Sequence, residues 1–452
     1  MREKIVLIGA GSASFTQGLV ADLLQRDMEA DVALVDVDPA ALEVAERLTS
    51  KMISARRPDI GLSASVDRRD VLSGATAVIC TVGVGGRRAW EQDVLIPRKH
   101  GIYQPVGDTV GPGGTSRAMR MIPAMVGVAE DVVDLAPDAL FFNYGNPMSP
   151  VCRAIRKATG AEVVGLCHGV FGVARYLAEV LGVERDDLDH TAIGINHLTW
   201  FVEARADGRD LMPRLVEVAE EKLKGAPLDD LSDPFTWELT RLFGAFPAVL
   251  DRHVTEFFPR NLGEGAYYGK TLGTDVYSFE GTISGGDRTY ARMTEQAHSP
   301  DPLGDDHFAR FSGEHERVLE IIHCLRNSVT RVFHANLPNT GQVANLPADA
   351  VIESPAVAEG GQLRALSQKP LPVGIAGTLA TRFLWVETDL AKKLRRMRMS
   401  TRHLRKYLYV WIVLLVGTYG VFSIVLQNKI FGFLFLVFLT ATPWYLVRRM
   451  DE

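Results

Sequence analysis

Two short stretches of the chain carry a cysteine and histidines in positions suited to metal binding. VVGLCHGVFG, residues 163–172, places Cys167 and His168 directly after an apolar run, and GINH, residues 194–197, ends on His197. A thiolate and an imidazole can hold a transition-metal ion and leave coordination positions open for substrate oxygens and water. Without further context, however, a lone Cys–His pair is more often part of a protein core than a metal site.

The four cysteines of the chain predict a reducing environment. Cys80, Cys152, Cys167 and Cys324 match neither a disulfide framework nor a CxxC motif. In a reducing compartment a special cysteine acts as a ligand or a nucleophile. The first four residues lead directly into the apolar run IVLIGAG, which does not resemble a signal peptide. We therefore expect the catalytic part of the chain to fold in the cytoplasm.

A glycine-rich turn near the N-terminus indicates a dinucleotide-binding loop. KIVLIGAGSASF reads as an apolar strand and a turn with Gly9 and Gly11, with Ser14 in place of a third glycine, and Asp36 ends the next strand. A carboxylate there can accept hydrogen bonds from both ribose hydroxyls of NAD and would repel the ribose phosphate of NADP. A glycine turn that only permits tight packing is the alternative. The predicted NAD-binding residues are Gly9, Gly11, Ser12, Phe15, Asp36 and Arg87.

Apolar runs alternate with helical patterns through the first half of the chain. TAVICTVG, ALFFNYGNP and EVVGLCHG read as further strands, and helices are predicted over about residues 39–55 and 116–135. This alternation favours an α/β fold with a doubly wound, Rossmann-type parallel sheet, whose ligands bind at the carboxyl ends of the strands. From about residue 195, longer helical stretches and irregular loops predict a second domain of mixed α+β type.

We therefore divide the sequence into three regions. Residues 1–195 are predicted to be an NAD-binding Rossmann domain, and residues 196–390 a domain for substrate, metal and oligomerisation. Residues 391–452 read as a basic linker with two apolar segments.

The two apolar segments predict a C-terminal transmembrane helical hairpin. Residues 407–427 contain no charge, and residues 430–447 form a second apolar run, so each approaches the roughly 20 residues that a helix needs to cross a bilayer. Lysines and arginines before and after the pair put both ends in the cytoplasm under the positive-inside rule. We therefore expect the catalytic part to be anchored to the cytoplasmic membrane; a pair of buried core helices is the alternative.

Composition excludes nucleic acid as an expected partner. The chain has 452 residues, of which 47% are hydrophobic and 23% charged, and a formal net charge of −6. These values are typical of a globular protein long enough for two cores. Because no broad basic surface is expected, the chain is poorly suited to bind a polyphosphate.

Six motifs together resemble glycoside hydrolase family 4, the NAD- and metal-dependent glycosidases. They are GAGSASF, GDTVGPGG, NYGNPMSPV, GLCHG, GINHLTWF and DRHVTEFFP, and the resemblance extends from residue 1 to about residue 388. It implies that the sugar is oxidised at C3, which acidifies the C2 proton, and that elimination expels the aglycone. Water addition and return of the hydride then complete hydrolysis. A homo-oligomer, dimer or tetramer, is also implied.

The resemblance implies roles for four motif residues. Cys167 and His197 would bind a divalent metal, usually manganese, which acts as a Lewis acid at the C2 and C3 oxygens of the sugar. His168 gives the CHG form, which resembles members that cleave uronosides, and would protonate the leaving oxygen or orient the site. Asn146 resembles the asparagine that contacts the sugar hydroxyls; a turn asparagine before proline is the alternative.

Further residues are candidates for the base and for substrate binding. Relatives use a tyrosine or an aspartate to remove the C2 proton, and the candidates here are Asp108, Asp251 and Tyr267, although either aspartate could instead cap a loop. His253 is a candidate metal or substrate ligand. A guanidinium binds a uronate carboxylate through two hydrogen bonds, and the candidate arginines are Arg87, Arg117 and Arg252.

The sequence therefore favours an NAD- and manganese-dependent glycosidase that cleaves small α-glycosides, with α-uronosides (α-glucuronides or α-galacturonides) as expected substrates. The alternatives are an α-glucosidase or α-galactosidase of the same family and an NAD-dependent dehydrogenase with net oxidation. A third alternative is a membrane-tethered NAD-binding protein with impaired catalysis. This one arises because DLAKKLRRMRMSTRHLRKY and the apolar segments replace the helices that normally complete the family's second domain.

Overall fold

The computed structural model of the chain describes residues 2–13, 15–309 and 317–387. The strands are β1 (Glu3–Ile8), β2 (Ala30–Val35), β3 (Gly61–Ser65), β4 (Ala77–Cys80), β5 (Leu140–Asn143), β6 (Val163–Gly165), β7 (Asp189–Ile195), β8 (Leu198–Ala206), β9 (Arg209–Asp210), β10 (Phe246–Pro247), β11 (Ala266–Tyr267), β12 (Lys270–Thr271), β13 (Arg331–Pro338), β14 (Val351–Glu359) and β15 (Gln362–Ala365).

In the first half of the chain the helices alternate with these strands, and in the second half several helices follow one another without a strand between them. They are α1 (Phe15–Leu24), α2 (Pro39–Arg56), α3 (Arg69–Leu72), α4 (Gly86–Arg98), α5 (Gly111–Leu135), α6 (Met148–Thr159), α7 (Gly169–Leu181), α8 (Met212–Gly225), α9 (Pro234–Phe243), α10 (Asp251–Val254), α11 (Phe279–His298), α12 (Asp305–Ala309), α13 (Val318–Asn327) and α14 (Val373–Glu387). Short 3-10 helices cover Arg185–Asp187, Thr255–Phe257 and Pro259–Gly265.

The first half of the chain builds a parallel sheet in the order β3-β2-β1-β4-β5-β6. β1, β2 and β4 are buried along almost their whole length, as expected for strands covered by helices on both faces. The strand order reverses between β1 and β4, and doubly wound folds bind their ligands beyond the carboxyl ends of the strands at this point. The predicted Rossmann-like α/β architecture is confirmed.

The second half continues the same sheet with antiparallel strands. β13 pairs with β6, and β14, β7, β8 and β10 follow in that order, each antiparallel to its neighbour. Among the described residues, every strand except the hairpin β11–β12 belongs to this 13-stranded sheet. Residues from the second half therefore reach the carboxyl-end edge of the Rossmann strands directly.

Apolar clusters on the sheet also join the two halves. One cluster combines Leu7 and Leu34 of the Rossmann strands with Ile321 and Leu325 of α13. Another packs β7 and β8 against α9 and α14, with Trp200 fully buried at its centre. Burial of each large apolar side chain contributes about 1.5–3 kcal/mol. The first cluster therefore holds α13 of the second half against the parallel sheet.

The fold prediction is wrong in its membrane-spanning part. Within residues 2–13, 15–309 and 317–387, none of the helices combines the length and the apolar composition that crossing a bilayer requires. The segments 407–427 and 430–447, together with the rest of the predicted region 391–452, lie outside the described residues. The observed fold is a Rossmann-like α/β fold with an antiparallel extension of its sheet, and a transmembrane hairpin is not part of the described fold.

Candidate active site

One cavity of about 1530 Å³ brings together most of the residues predicted from the sequence. It lies at the carboxyl ends of the parallel strands and receives side chains from the β7–β8 turn, α10 and α11. Because the turns after parallel strands meet at one edge of a sheet, residues far apart in sequence share this crevice. The predicted residues that line it are Gly9, Gly11, Ser12, Phe15, Asp36, Arg87, Asp108, Arg117, Asn146, Cys167, His168, His197 and His253.

The glycine-rich turn after β1 forms one end of the cavity. Gly9 has φ +91°, and a Cβ there would lie 2.9 Å from the backbone carbon of Thr81. The N–H of Gly11 donates to Oδ2 of Asp36 at 2.8 Å, which fixes this carboxylate at the end of β2. The turn also opens directly into α1, whose N-terminus favours an anion. This end therefore has the features of a dinucleotide-binding site.

Helix α11 covers the glycine-rich turn. The hydroxyl of Tyr290 donates to the carbonyl oxygen of Gly11 at 2.7 Å. The guanidinium of Arg87 lies 3.8 Å from the centre of the Tyr290 ring and forms an ion pair with Asp287 at 2.9 Å. Tyr290 was missed from the sequence, because nothing in a helix of the second half indicates that it packs on the first glycine turn.

Asp108, His197 and His253 form a compact group, in which one potential ligand atom from each lies within 4.8 Å of the others. Thr109 Oγ1 donates to Oδ1 of Asp108 at 2.7 Å and lies 2.7 Å from Nδ1 of His197. Since a hydroxyl has one proton, Thr109 accepts a hydrogen bond from His197 Nδ1–H. The lone pair on Nε2 of His197 is then available to a metal ion.

His197 has a backbone conformation that favours glycine. Ile195 pairs with Leu198, so the β7–β8 connection is a two-residue turn, and His197 in it has φ +65°. A non-glycine residue in this region costs on the order of 1–3 kcal/mol, and such strain persists where the surrounding structure holds the residue. Here the imidazole is buried and bonded to Thr109. The turn thus presents a histidine at the cavity at some cost in stability.

The charges of the group match those of a metal-binding site. Burial alone would raise the pKa of Asp108, but in acid the protonated imidazoles of His197 and His253, together with Arg117, outweigh burial and lower the pKa to about 2. Burial lowers the pKa of His197, and burial together with the His197 charge lowers the pKa of His253 to about 3. Neutral imidazoles beside a carboxylate are the forms that coordinate a divalent cation.

Cys167 and His168 lie in the turn between β6 and α7. Sγ of Cys167 accepts the N–H of Gly169 at 3.4 Å, and burial raises its pKa to about 12, so the thiolate form requires a cation nearby. Cys167 lines the same cavity as His197 but is not in the group within 4.8 Å. The exposed ring of His168 stacks on Phe15 with 5.6 Å between ring centres.

Asn146 and Arg117 lie beside Asp108. Nδ2 of Asn146 donates to Oδ2 of Asp108 at 2.9 Å, and Nε of Arg117 donates to the carbonyl oxygen of Asn146 at 3.1 Å. Arg117 is half-buried in the cavity wall. It therefore places a positive charge next to the Asp108–His197–His253 group.

Three predicted site residues do not belong to the cavity lining of the described structure. Asp251 accepts the backbone N–H groups of Phe235 and Thr236 at the start of α9, at 2.9 and 2.7 Å, and also the hydroxyl of Tyr267. Burial raises the pKa of Asp251 to about 6. Arg252 donates to Oγ1 of Thr282 at 2.9 Å. The geometry gives Asp251 a helix-capping role, and the catalytic roles of Asp251 and Tyr267 stay predictions.

Thr109 and Glu256 were missed from the sequence. Glu256 lies three residues after His253 in DRHVTEFFP, so a carboxyl group inside a motif already chosen was the available signal. The side chain is 6% exposed, and burial raises its pKa to about 8 despite hydrogen bonds from two backbone N–H groups. Thr109 follows Asp108 in GDTVGPGG, where a threonine has no distinguishing feature of its own.

The chain matches two known protein-family models over most of its length. The model of "Family 4 glycosyl hydrolase" matches residues 4–183, and that of "Family 4 glycosyl hydrolase C-terminal domain" matches residues 192–390. An alpha-galactosidase of Rhizobium meliloti is 33% identical over 83% of this chain and 77% of its own length. An alpha-galacturonidase of Bacillus subtilis is 33% identical over 82% of this chain and 85% of its own length.

A solved structure shows the same fold. The 6-phospho-beta glucosidase of Thermotoga maritima, solved with manganese, NAD+ and glucose-6-phosphate, superimposes with a TM-score of 0.70. The match covers 87% of this chain and 92% of that chain at 20% sequence identity.

Proposed function

Because the chain belongs to family 4 of the glycosyl hydrolases, we propose that it is an NAD- and divalent-metal-dependent enzyme that cleaves α-glycosides, with α-uronosides as substrates. The observation that carries the proposal is the single cavity that joins the glycine-rich turn to the Asp108–His197–His253 group. A nucleotide bound at one end and a sugar at the other would lie in continuous contact.

The residues present fit both a dinucleotide and a cation. At the first end, Gly11 and Asp36 have the arrangement of a ribose- and pyrophosphate-binding turn. At the second end, Nδ1 of His253 and Oδ1 of Asn146 are buried without a hydrogen-bond partner among the described residues. Buried polar atoms without partners are costly, so a ligand that uses them is favoured. We assign the cation to Cys167, His197 and His253.

The expected positions of the cofactors and the positions of the other cavity residues suggest a chemical role for each. NAD when bound supplies hydride exchange with C3 of the sugar, and the cation supplies a Lewis acid. Of the three candidate bases, Asp108 lines the cavity, so its carboxylate is the one placed to accept the C2 proton. The exposed imidazole of His168 lies at the cavity and can protonate the leaving oxygen.

Arg117 supports a uronoside over a neutral sugar. Its guanidinium lines the cavity next to Asn146, where a carboxylate at C6 of a bound sugar could accept hydrogen bonds. The relatives include both an alpha-galacturonidase and an alpha-galactosidase at 33% identity, so sequence similarity alone favours neither substrate. The local positive charge is the reason for the proposal.

The test is hydrolysis of aryl α-galacturonide, α-glucuronide, α-galactoside and α-glucoside, each deuterated at C2, with NAD and Mn²⁺ in ordinary water. Elimination through a C3 ketone removes the C2 label, whereas direct displacement by two carboxylates retains it. We expect aglycone release with loss of the label and without net NADH formation. Retention of the label, or stoichiometric NADH, would reject the proposal.

Substitution of Arg117 tests the substrate class. Arg117→Met is expected to lower kcat/KM for the uronoside relative to the neutral glycoside by about 10- to 100-fold, the value of a charged hydrogen bond. Arg252→Met changes an arginine outside the cavity lining and should leave this ratio unchanged. An equal loss on both sugars in Arg117→Met would contradict the uronoside assignment.

A further inference from the structure

Glu256 connects two of the three segments that supply the Asp108–His197–His253 group. It lies in the 3-10 helix Thr255–Phe257, directly after α10, which carries His253. Its Oε1 accepts hydrogen bonds from the backbone N–H groups of Val106 and Gly107, both at 2.6 Å. One carboxyl oxygen therefore joins α10 to the loop that carries Asp108.

The loop is shaped to present these two N–H groups. Nε1 of Trp90 donates to the carbonyl oxygen of Val106 at 2.6 Å, so Val106 is held at its N–H and at its carbonyl. Gly107 has φ +62°, and a Cβ there would lie 2.8 Å from Cγ2 of Val94. The backbone therefore has little freedom to re-form these bonds elsewhere if the acceptor moves.

The helical segment that carries His253 and Glu256 is also held by hydrogen bonds. The N–H groups of His253 and Val254 donate to the carbonyl oxygen of Leu250, and the hydroxyl of Thr255 donates to the carbonyl oxygen of Asp251. His253 and Glu256 thus belong to one hydrogen-bonded unit. A shift of the Glu256 acceptor relative to this unit would change the separation of Asp108 and His253.

We propose that Glu256 is a positioning residue for this site, which sets the separation of Asp108 and His253 through the reach of its side chain and not through its charge. The inference rests on the proposed function, because it presupposes that His253 of this group helps to hold a cation. Glutamine has the same length and an oxygen that accepts the same two bonds. Aspartate keeps the charge but is one methylene shorter.

The experiment compares Glu256→Gln with Glu256→Asp in the full chain. Mn²⁺ affinity is measured by electron paramagnetic resonance of the free ion, and loss of the C2 label follows the reaction. We expect Glu256→Gln to stay within about threefold of the wild type, and Glu256→Asp to bind Mn²⁺ about 10- to 100-fold more weakly, as for other residues that orient metal ligands.

Glu3→Asp is the matched control. Glu3 is also buried, at 3% exposure, and is bonded to Arg326 at 3.0 Å at the amino end of β1. Shortening it should lower the melting temperature without changing Mn²⁺ affinity. Thermal unfolding and NAD affinity, measured for every variant, identify a general loss of structure.

These measurements distinguish failure of the positioning role of Glu256 from failure of the proposed function. Wild-type Mn²⁺ affinity in Glu256→Asp, or a loss in Glu256→Gln as large as in Glu256→Asp, would overturn the positioning role alone. If the wild type itself does not bind Mn²⁺, the proposed function fails and the positioning role fails with it.

Discussion

Two pairs of histidines lie at opposite ends of the same strand, β7, and differ in what surrounds them. His197 follows β7 and packs on His253, with 4.2 Å between ring centres at an angle of 43°. His190, within β7, stacks on His334 of β13 at 5.2 Å and 5°. Each pair includes an imidazole whose pKa burial lowers to about 3, His253 in the first and His334 in the second.

The two pairs differ in two respects, namely whether a carboxylate lies beside them and whether they line the cavity. The His197–His253 pair has Asp108 beside it and lines the cavity, and the described residues contain no metal-binding group of this kind around His190 and His334. The second pair instead bonds to the backbone: the N–H of Ala192 donates to Nε2 of His334 at 3.2 Å. A pair of neutral histidines thus forms a candidate site only where a carboxylate and access to the cavity accompany it.

The largest effect is expected from Asp108→Asn, which removes the carboxylate and keeps the shape of the side chain. A base of this kind contributes about 10²- to 10⁴-fold to the rate, and we expect kcat to fall by this factor. The loss of C2 label should fall in parallel. If this variant lost the C2 deuterium at the wild-type rate, Asp108 would not be the base, and Asp251 and Tyr267 would remain as the candidates.

Replacement of one histidine from each pair comes next. His197→Asn retains a residue that tolerates positive φ and removes the imidazole, so Mn²⁺ affinity should fall by at least about 10- to 100-fold. His190→Asn, in the other pair, should leave Mn²⁺ affinity unchanged. Titration of both proteins with Mn²⁺ measures the difference, and equal affinities would show that the two pairs do not differ in function.

The second pair should instead control stability in acid. Burial, together with the charges of His190 and Arg317, lowers the pKa of His334 from 6.5 to about 3, so its contribution is complete above pH 6.5 and is lost as the pH falls towards 3. His334→Gln keeps an acceptor for Ala192 but cannot titrate. From pH 7 to pH 5 the wild type should lose about 2 kcal/mol more stability than this variant. Urea unfolding at both values tests this, and parallel losses would contradict it.

The smallest effect concerns the orientation of His197. Thr109→Val removes the hydroxyl that bonds Nδ1 of His197 and Oδ1 of Asp108. A single hydrogen bond is worth about 1 kcal/mol, so Mn²⁺ affinity should fall roughly fivefold. Thr109→Ser should restore most of it, and a fivefold loss in both variants would point to packing of the methyl group.

Local patterns predicted the first half of the fold well. The helix predicted over residues 39–55 is α2, Pro39–Arg56, which begins after Asp38, whose side chain accepts the N–H of Ala40. The helix predicted from residue 116 begins at Gly111, because Pro112 fits a first turn although the surrounding glycines suggest a loop. Buried parallel strands are continuous apolar runs, so they are visible in a sequence.

The strand pairing and side-chain contacts of the second half could not be predicted from the sequence. Asn336 of β13 pairs with Gly165 of β6, a contact between residues 171 positions apart, and no local pattern encodes such a pairing. The same limit explains why the sequence did not show that the carboxylate of Asp251 accepts hydrogen bonds from the start of α9. The apolar residues 407–427 and 430–447 predicted helices by composition alone, and the described fold contains no membrane-spanning helix.

The sequence by itself determined the Rossmann half, the glycine turn with Asp36 and the motifs that indicate the family, because each depends on residues close together in the chain. Only the tertiary structure decided that Asp108 and His253 lie beside His197, that α11 covers the turn, and that Glu256 joins two of the segments. Those contacts join segments that are far apart in the chain. Long-range packing of that kind depends on the whole fold and leaves no periodic signal in the sequence.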